Sequence, residues 1–296
     1  MVNKNSSNAA DDEGRKLRWH DRLLVIPLVI TGTALFLLSF LATNRADLVG
    51  IAHTPFHDGY WQLYEDGKIE FFGEASEDPL RGDKLGAENF VAIASAAPEG
   101  FYAVTGNGAV YVYAGANYYG GIDGSTPKSP IVDIIVLPRG VGYRLVSADG
   151  SIYDFNVKQI PKGTPKSNGI NINTDESPIV KAWSTRSGDG YWLVDKQGKV
   201  YAFGDAQYFG DASNQNLKDD NEVIGIWGSI TDEGYTIVDE QGGKYEFPQG
   251  ASPRCFGGVG EEKANKPYIQ FLPDMAGHTC YFVDKQGDIS KYSIKF

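Results

Sequence analysis

The sequence is short of the residues from which most catalytic and metal sites are built. Its 296 residues include only two cysteines, two methionines and four histidines. It contains no G-x-S-x-G nucleophile elbow, no HExxH zinc motif, no Walker phosphate loop and no G-x-G-x-x-G dinucleotide fingerprint. These absences leave no motif-based case for an enzyme, and no cofactor is expected.

One stretch lacks charge altogether. The run LLVIPLVITGTALFLLSFLATN (23–44) lies between Arg22 and Arg45 and, as a helix, is long enough to span about 30 Å of hydrocarbon. The residues that follow it offer no Ala-x-Ala cleavage site, which favours an uncleaved anchor over a cleaved signal peptide. Most of the flanking basic residues precede the run, so the positive-inside rule predicts a cytoplasmic N-terminus.

This interpretation divides the chain into three parts. Residues 1–22 are polar, lack apolar periodicity and are predicted to form a disordered cytoplasmic tail. Residues 23–44 are the predicted single-pass signal-anchor helix. Residues 45–296 are the predicted extracytoplasmic domain, which would start so soon after the span that it stays close to the cytoplasmic membrane.

The exported part is acidic. Six of the 27 basic and four of the 38 acidic residues precede residue 46, so the remainder carries a net charge of −13. This balance argues against nucleic acid or anionic lipid head groups as partners, because both need a cationic surface. Cys255 and Cys280 both fall in this part, where they could form one disulfide or remain two buried thiols.

What the sequence has in abundance is one repeated hairpin. Six glycines serve as its anchors, at intervals of 41 to 48 residues: Gly67, Gly108, Gly150, Gly198, Gly242 and Gly287. An aliphatic residue stands four positions before every anchor and an aromatic residue five positions after it. Seven positions before the anchor the residue is Tyr or Phe in five units, with Cys280 as the exception. The polar residue and glycine at each anchor predict a short hairpin whose last turn residue has positive φ.

A further apolar segment begins 18 residues before each anchor glycine, or 17 residues before it in the second unit. The six segments are VGIA (49–52), VAIA (91–94), VDII (132–135), VKAW (180–183), IGIW (224–227) and IQFL (269–272). Small or polar residues at their second position indicate a crowded site, as on the innermost strand of a propeller blade. A weak fourth strand is predicted in NYYGG (117–121) or QYFGD (207–211).

Alternating strands and turns with a period near 44 residues are typical of β-propellers. The sequence therefore predicts an all-β, six-bladed β-propeller after one N-terminal transmembrane helix, with a seventh, irregular blade as the alternative. How the ring closes is left open by the pattern.

The best-preserved unit also carries a resemblance. GYWLVDKQGKVYAFGDAQYFGD (190–211) resembles the GYWLV-x-x-DG-x-V-x-x-FGDA-x-x-x-G repeat of propeller-like domains in bacterial cell-surface and secreted proteins, and the other units match it more loosely. The resemblance implies a propeller architecture and says little about activity. The docking pattern of quinoprotein repeats, the Trp-Asp dipeptide of WD40 repeats and the Asp-box spacing of sialidases are all missing.

Candidate site residues come from the loops that follow the inner strands. His53, His57 and Asp58 in the first unit and His278 in the sixth would converge if these units are neighbours, as a metal or acid-base cluster or as scattered surface residues. The corresponding loops also supply Arg139, Arg186, Asp189 and Asp232, as a polar ligand site or a solvated rim. The repeated aromatic residues are predicted to be core, whereas Trp183 and Trp227, which end two inner strands, are the exceptions of interest.

These features favour a membrane-anchored, non-enzymatic binding or scaffold module whose partner is a protein or polymer of the membrane or cell envelope. The alternatives are a propeller hydrolase or metal-dependent enzyme with its site at the axial mouth, and a glycan-binding lectin.

Overall fold

The computed structural model describes residues 46–54, 59–77, 89–96, 100–113, 115–122, 126–158, 175–213, 217, 221–251, 253–255, 267–273 and 278–293. The chain from Ala46 onward forms one compact unit. Among the described residues there is no helix long and apolar enough to cross a membrane. The predicted tail 1–22 and span 23–44 lie outside them.

The described residues form six antiparallel sheets, each made of three consecutive strands. We number these sheets as blades 1 to 6. In chain order the strands are β1 (Leu48–His53), β2 (Gly59–Tyr64) and β3 (Ile69–Gly73); β4 (Phe90–Ser95), β5 (Phe101–Thr105) and β6 (Val110–Tyr113); β7 (Ile131–Val136), β8 (Tyr143–Ser147) and β9 (Ile152–Phe155); β10 (Ile179–Ser184), β11 (Tyr191–Asp195) and β12 (Val200–Phe203); β13 (Val223–Gly228), β14 (Tyr235–Asp239) and β15 (Lys244–Phe247); β16 (Tyr268–Pro273), β17 (Thr279–Asp284) and β18 (Ile289–Ser293).

The first strand of each blade is the inner strand. Each predicted apolar segment forms the central four residues of a six-residue inner strand, and all six strands shift register at their second residue. A bulge at this point increases the local twist of the sheet. Inner strands of successive blades contact each other, and β16 contacts β1, so the blades close a ring.

The closure of the ring depends on Gln270 of blade 6. Its Nε2 donates to the Ile51 carbonyl over 3.0 Å, and its Oε1 accepts from the Ile51 amide over 2.5 Å. A Cβ on the neighbouring Gly50 would lie 2.7 Å from that Oε1, which explains the small residue in this segment. The direct contact between β16 and β1 leaves no place between them for the seventh blade of the alternative prediction.

The hairpin turns have the predicted geometry. All six anchor glycines have φ between 78° and 88°, the left-handed region that side chains other than glycine rarely adopt. In blades 1 to 3 the side chain of the residue before the anchor accepts a hydrogen bond from the backbone amide of the residue after it, as Asp149 does from the Ser151 amide. In blades 4 to 6 an Asp three positions before the anchor accepts hydrogen bonds from two backbone amides of the turn. Asp195, for example, accepts from the amides of Gln197 and Lys199.

The repeated aromatic positions pair within blades. The residue seven before the anchor lies directly across from the one five after it, and their rings stack or tilt 4.8 to 5.9 Å apart in blades 1 to 5. The residue seven before the anchor is fully buried in blades 2 to 5, as predicted for a core position. Its partner five after the anchor is only partly buried in blades 1 to 4.

A second set of contacts, the junction pairs, joins neighbouring blades. In each pair the residue six before the anchor contacts the residue seven before the next anchor. The pairs are Trp61 with Phe101 (5.0 Å), Tyr102 with Tyr143 (4.9 Å), Arg144 with Tyr191 (5.4 Å), Trp192 with Tyr235 (5.7 Å) and, across the closure, Tyr281 with Tyr60 (6.4 Å). Between blades 5 and 6 these positions hold Thr236 and Cys280, and Cys280 forms a disulfide with Cys255.

The fourth strand predicted in 117–121 or 207–211 is wrong, because neither segment is a strand. Each is instead held by a buried tyrosine of the next blade. The Tyr143 hydroxyl bonds the Tyr119 amide and the Gly120 carbonyl, and the Tyr235 hydroxyl bonds the Phe209 amide and the Gly210 carbonyl. Burial raises the pKa of both hydroxyls to about 12, so they stay protonated and donate at neutral pH.

Candidate functional site at the mouth of the ring

All the candidate residues follow inner strands, and these strands end at the same side of the ring. We call this side the mouth. The hairpin turns with the anchor glycines lie at the opposite end, because the second strand of each blade runs antiparallel to the inner strand. Large apolar side chains are exposed in two mouth loops, at Val141 (46%) and Ile230 (50%).

Hydrogen bonds join blade 3 to the mouth loop of blade 4, and this loop to the mouth loop of blade 5. The buried Arg144 donates through Nη2 to the Gly188 carbonyl over 3.0 Å, which joins blade 3 to the loop of blade 4. The Arg186 amide then donates to Asp232 Oδ2 over 2.9 Å, and its Nη1 donates to the Ile230 carbonyl over 3.0 Å. The predicted residues Arg186 and Asp232 are therefore in contact, and they fix one loop against the next.

The other two rim residues are placed separately. Arg139 is exposed in the loop after β7 and has φ of 64°. Asp189 is exposed in the loop after β10, where its amide donates to Ser187 Oγ and its carbonyl accepts from the Asp205 amide. Ser187 also donates to the Asp205 carboxylate over 2.6 Å. The blade 4 loop is thus held by its own polar contacts.

The two described histidines lie on the blades that close the ring. His53 ends β1, and its ring contacts Tyr281 of blade 6 at 4.7 Å. His278 lies just before β17, whereas His57 and Asp58 are outside the described residues. Within the described part no group of three His, Cys, Asp or Glu residues could hold a metal ion. The four-residue metal or acid-base cluster, and the hydrolase alternative with it, stays a prediction.

The two tryptophans singled out from the sequence meet at the mouth. The Trp183 and Trp227 ring centroids are 6.4 Å apart. Gly228 makes this approach feasible, because a Cβ there would lie 2.7 Å from Trp183 Cδ1. Trp183 is half-buried, whereas Trp227 is only 6% exposed and packs with the disulfide and Phe271.

A cleft opens beside Trp227, where blade 5 connects to blade 6. Its volume is about 310 Å³. One wall is the loop after β13 and the other is the segment after β15, and the residues that line it are Trp227, Ser229, Ile230, Thr231, Glu233, Pro248, Gln249, Gly250, Ala251, Pro253 and Arg254. The cleft thus combines an apolar base with one acidic and one basic side chain, a composition suited to ligand binding.

The disulfide holds the second wall of this cleft. Cys255 directly follows the lining residue Arg254, and its bond to Cys280 ties the segment to β17 with the two Cα atoms 5.5 Å apart. Both cysteines are fully buried. The wall is therefore attached covalently to blade 6 at the junction between blades 5 and 6, where Thr236 and Cys280 occupy the positions of a junction pair.

A second cavity, of about 520 Å³, lies at the opposite end between blades 2 and 3. It is lined by Asn89, Thr105, Gly106, Asn107, Thr126, Pro127 and Pro130. None of these side chains carries a charge, so this cavity offers fewer orienting groups than the mouth cleft does.

A buried ionic contact near the axis is structural. Asp133 on the inner strand of blade 3 accepts from the Ala182 amide of blade 4 over 2.9 Å and lies 3.7 Å from Lys181 Nζ. Burial raises the pKa of Asp133, and Lys181 opposes this shift. The Asp133 carboxylate thus bonds the backbone of the next inner strand, as the Gln270 side chain does where blade 6 meets blade 1.

Sequence reasoning missed most of the cleft. Glu233 and Arg254 come from a loop and from a connection that follows no repeat position, so the periodicity gives no signal for them. Two signals were available: the Cys280 exception in an otherwise aromatic register, and the proline-rich PQGASPRC segment (248–255). Together they mark the one connection that is fixed covalently in the described part.

The chain is similar to known proteins in structure only. No protein-family model and no curated protein matches the chain. A protein of unknown function from Bacteroides thetaiotaomicron is similar in structure, with a TM-score of 0.56 and 15% identity over 84% of this chain and 70% of that one. The β-propeller domain of Cps50 (Swd1) from Myceliophteria thermophila aligns with a TM-score of 0.48 and 8% identity over 84% and 86% of the two chains.

The described residues fit a six-bladed β-propeller. The six sheets and the closed circle of inner strands carry this conclusion. A fold of this kind leaves the activity and the partners of the protein open.

Proposed function

We propose that this propeller is a non-enzymatic binding module, attached to the cytoplasmic membrane by residues 23–44, that docks a protein or envelope polymer through its mouth. The observation that carries the proposal is the cleft beside Trp227, flanked by the exposed Ile230. Ligand sites are usually clefts lined mainly by apolar side chains together with a few polar groups, and the residues that line this cleft include both kinds.

The rigidity of the mouth supports this function. Arg144 on β8 bonds the mouth loop of blade 4, and Arg186 joins this loop to the mouth loop of blade 5. The far wall of the cleft is held by the disulfide. A surface that is ordered before binding loses little conformational entropy when a partner docks. Such a surface suits recognition of a specific partner.

The predicted membrane attachment narrows the choice of partner. Only residues 45–47 separate the predicted span from β1, so the tether is too short to let the ring move far from the bilayer. A partner in the same membrane or in the adjacent envelope fits this constraint best. The acidic charge of the exported part disfavours nucleic acid.

Site-specific photo-crosslinking of the full-length chain in intact cells tests the proposal. A photoreactive residue at Ile230 should capture a membrane or envelope component, whereas the same residue at the exposed Gln197, in a hairpin at the opposite end, should not. Equal capture at both positions, or none at Ile230, would refute docking through the mouth.

A glycan-binding lectin is the second candidate, and one observation favours it. Tyr118 and Tyr208 occupy equivalent positions in blades 2 and 4 and are each 53% exposed. Tyr208 donates to Asp211 Oδ2 over 2.8 Å, so an aromatic face lies beside a carboxylate, as in many sugar sites. Glycan-array binding that Tyr208→Ala abolishes and Ile230→Ala leaves intact would support this candidate instead.

A further inference from the structure

The cleft beside Trp227 has a distinct pattern of charge and apolar surface. Trp227 forms its base, and Pro248 and Pro253 lie on the wall that the disulfide holds. Ile230, on the opposite wall, is half exposed. An aliphatic or aromatic group that entered the cleft would therefore contact apolar surface on both sides.

The two charged residues of the cleft differ in how they are engaged. Glu233 Oε2 accepts a hydrogen bond from Thr231 Oγ1 over 3.0 Å, and the Glu233 amide donates to Ser229 Oγ. Arg254 is exposed and, within the described residues, makes neither a hydrogen bond nor an ion pair. The guanidinium is thus the group left to interact with a ligand.

An available guanidinium beside apolar surface selects a particular chemistry. Arginine binds carboxylates through two parallel hydrogen bonds, and its planar fork makes the interaction directional. A volume of about 310 Å³ is near the lower limit of ligand pockets, roughly 300 to 1,000 Å³, so the cleft accommodates one or two residues of a chain.

We propose that this cleft binds a peptide segment of the partner in which a carboxylate follows an aliphatic side chain. The aliphatic group contacts Trp227 and Ile230, and the carboxylate pairs with Arg254. This inference rests on the proposed binding function and adds to it the chemical class of the ligand.

Ligand-observed saturation-transfer NMR on the full-length chain in mild detergent tests the proposal. The probes are N-acetyl-leucine, which carries a carboxylate, N-acetyl-leucinamide, which is neutral, and leucinamide, which carries an ammonium group. We expect N-acetyl-leucine to bind about two- to fivefold more tightly than the neutral amide, the range for an exposed ion pair.

Three substitutions and a matched control assign the effect. Arg254→Gln should remove the preference for the carboxylate, and Glu233→Gln should keep it or increase it. Lys199→Gln removes the same unit of charge from an exposed hairpin at the opposite end and should change nothing. Trp227→Phe, which keeps an aromatic base, should weaken both neutral and anionic probes by a similar factor.

Three outcomes would overturn the proposal. Equal affinity for acid and amide in the wild type removes the role of Arg254, and a preference for leucinamide assigns the cleft to Glu233. An unchanged preference in Arg254→Gln places the site elsewhere. Crosslinking at Ile230 is independent of these probes, so capture of a partner without carboxylate selectivity would refute this inference and leave the proposed function standing.

Discussion

The junction between blades 4 and 5 and the junction between blades 5 and 6 solve the same packing problem differently. At the first, Trp192 contacts Tyr235 at 5.7 Å, and both side chains are fully buried. At the second, the same positions hold Thr236 and Cys280, which are too small to form such a contact. The Cys255–Cys280 disulfide lies there instead, and the mouth cleft opens beside it.

This difference shows that a junction between blades can be stabilised without being filled by large side chains. Two large rings fill a junction and stabilise it by burial. A disulfide occupies less volume and stabilises chiefly by restricting the unfolded chain. The junction that uses a disulfide can therefore hold an open cleft while the ring stays closed.

The largest effect is expected from removing the ring pair between blades 4 and 5. Trp192→Ala should lower the free energy of unfolding by about 3 to 5 kcal/mol, because it leaves a large cavity in the buried interface. Urea-induced unfolding followed by circular dichroism measures the change. A loss below about 1 kcal/mol would mean that the ring pairs are not what stabilises these junctions.

Removing the disulfide should have the next largest effect. Cys255→Ser combined with Cys280→Ser opens a loop with a sequence separation of 25 residues, which corresponds to about 3 kcal/mol in the chain-entropy model. The same variant should lose binding of N-acetyl-leucine at the cleft while Trp192→Ala, studied where it is folded, retains it. Intact cleft binding without the disulfide would contradict the role given to this bond.

The junction between blades 3 and 4 tests whether a charge can replace a ring. Arg144 is fully buried over Tyr191, and its Nε donates to Asp154 Oδ1 over 3.0 Å. Arg144→Met should cost about 2 to 3 kcal/mol, because it leaves the Asp154 carboxylate without its partner. Adding Asp154→Asn should recover part of this loss, which a double-mutant cycle would measure.

The cost of Arg144→Met should also depend on pH. Burial raises the pKa of Asp154, and the guanidinium of Arg144 opposes this shift. Without Arg144 the folded-state pKa rises further above 3.8, so the folded state binds more protons than the unfolded state over that interval. The deficit should therefore be largest near neutral pH and shrink as the pH falls towards 4; a deficit independent of pH would exclude this explanation.

The smallest effect is expected from the tyrosine hydroxyls that hold the connections. Tyr235→Phe removes bonds to the Phe209 amide and the Gly210 carbonyl and should cost about 1 to 2 kcal/mol. Tyr143→Phe should cost a similar amount, whereas Tyr118→Phe, on an exposed side chain, should cost almost nothing. Faster amide exchange at residue 209 in Tyr235→Phe would localise the effect.

The regular part of the fold could be predicted from the sequence because its signals are local and repeated. The glycine that must take positive φ, the aromatic cross-strand pair and the apolar inner segment each have a fixed spacing from the anchor. Because these spacings recur in six units, they are not a chance result of the composition. Their period also gives the number of blades.

The junction pairs could not be predicted in the same way. The position six before the anchor holds Trp61, Tyr102, Arg144, Trp192, Thr236 and Tyr281. Five of these residues, all except Thr236, contact the next blade through the junction pairs, and the variety of residue types at this position does not reveal that contact. For the same reason, Cys280 at a position that is aromatic in the other units indicated a different contact there. It did not indicate the cleft that lies beside the disulfide.

The candidate site was predicted only in part. The shared rim of all six mouth loops stays a prediction, and two of the residues predicted for it, Arg186 and Asp232, are in contact. Glu233 and Arg254 were missed, because a cleft between a loop and a connection depends on where the connection runs after the repeat has ended. His57 and Asp58 lie outside the described residues, so the histidine cluster stays a prediction.

The way in which the ring closes has a consequence for how the protein could be rebuilt. Each blade consists of consecutive strands, and the first and sixth share no sheet. They are joined by the Gln270 side chain and by a hydrogen bond from the Leu48 amide to the Lys285 carbonyl. No blade depends on the two ends of the chain being woven together. A circular permutant that opened the chain between blades 3 and 4 would therefore keep all six sheets.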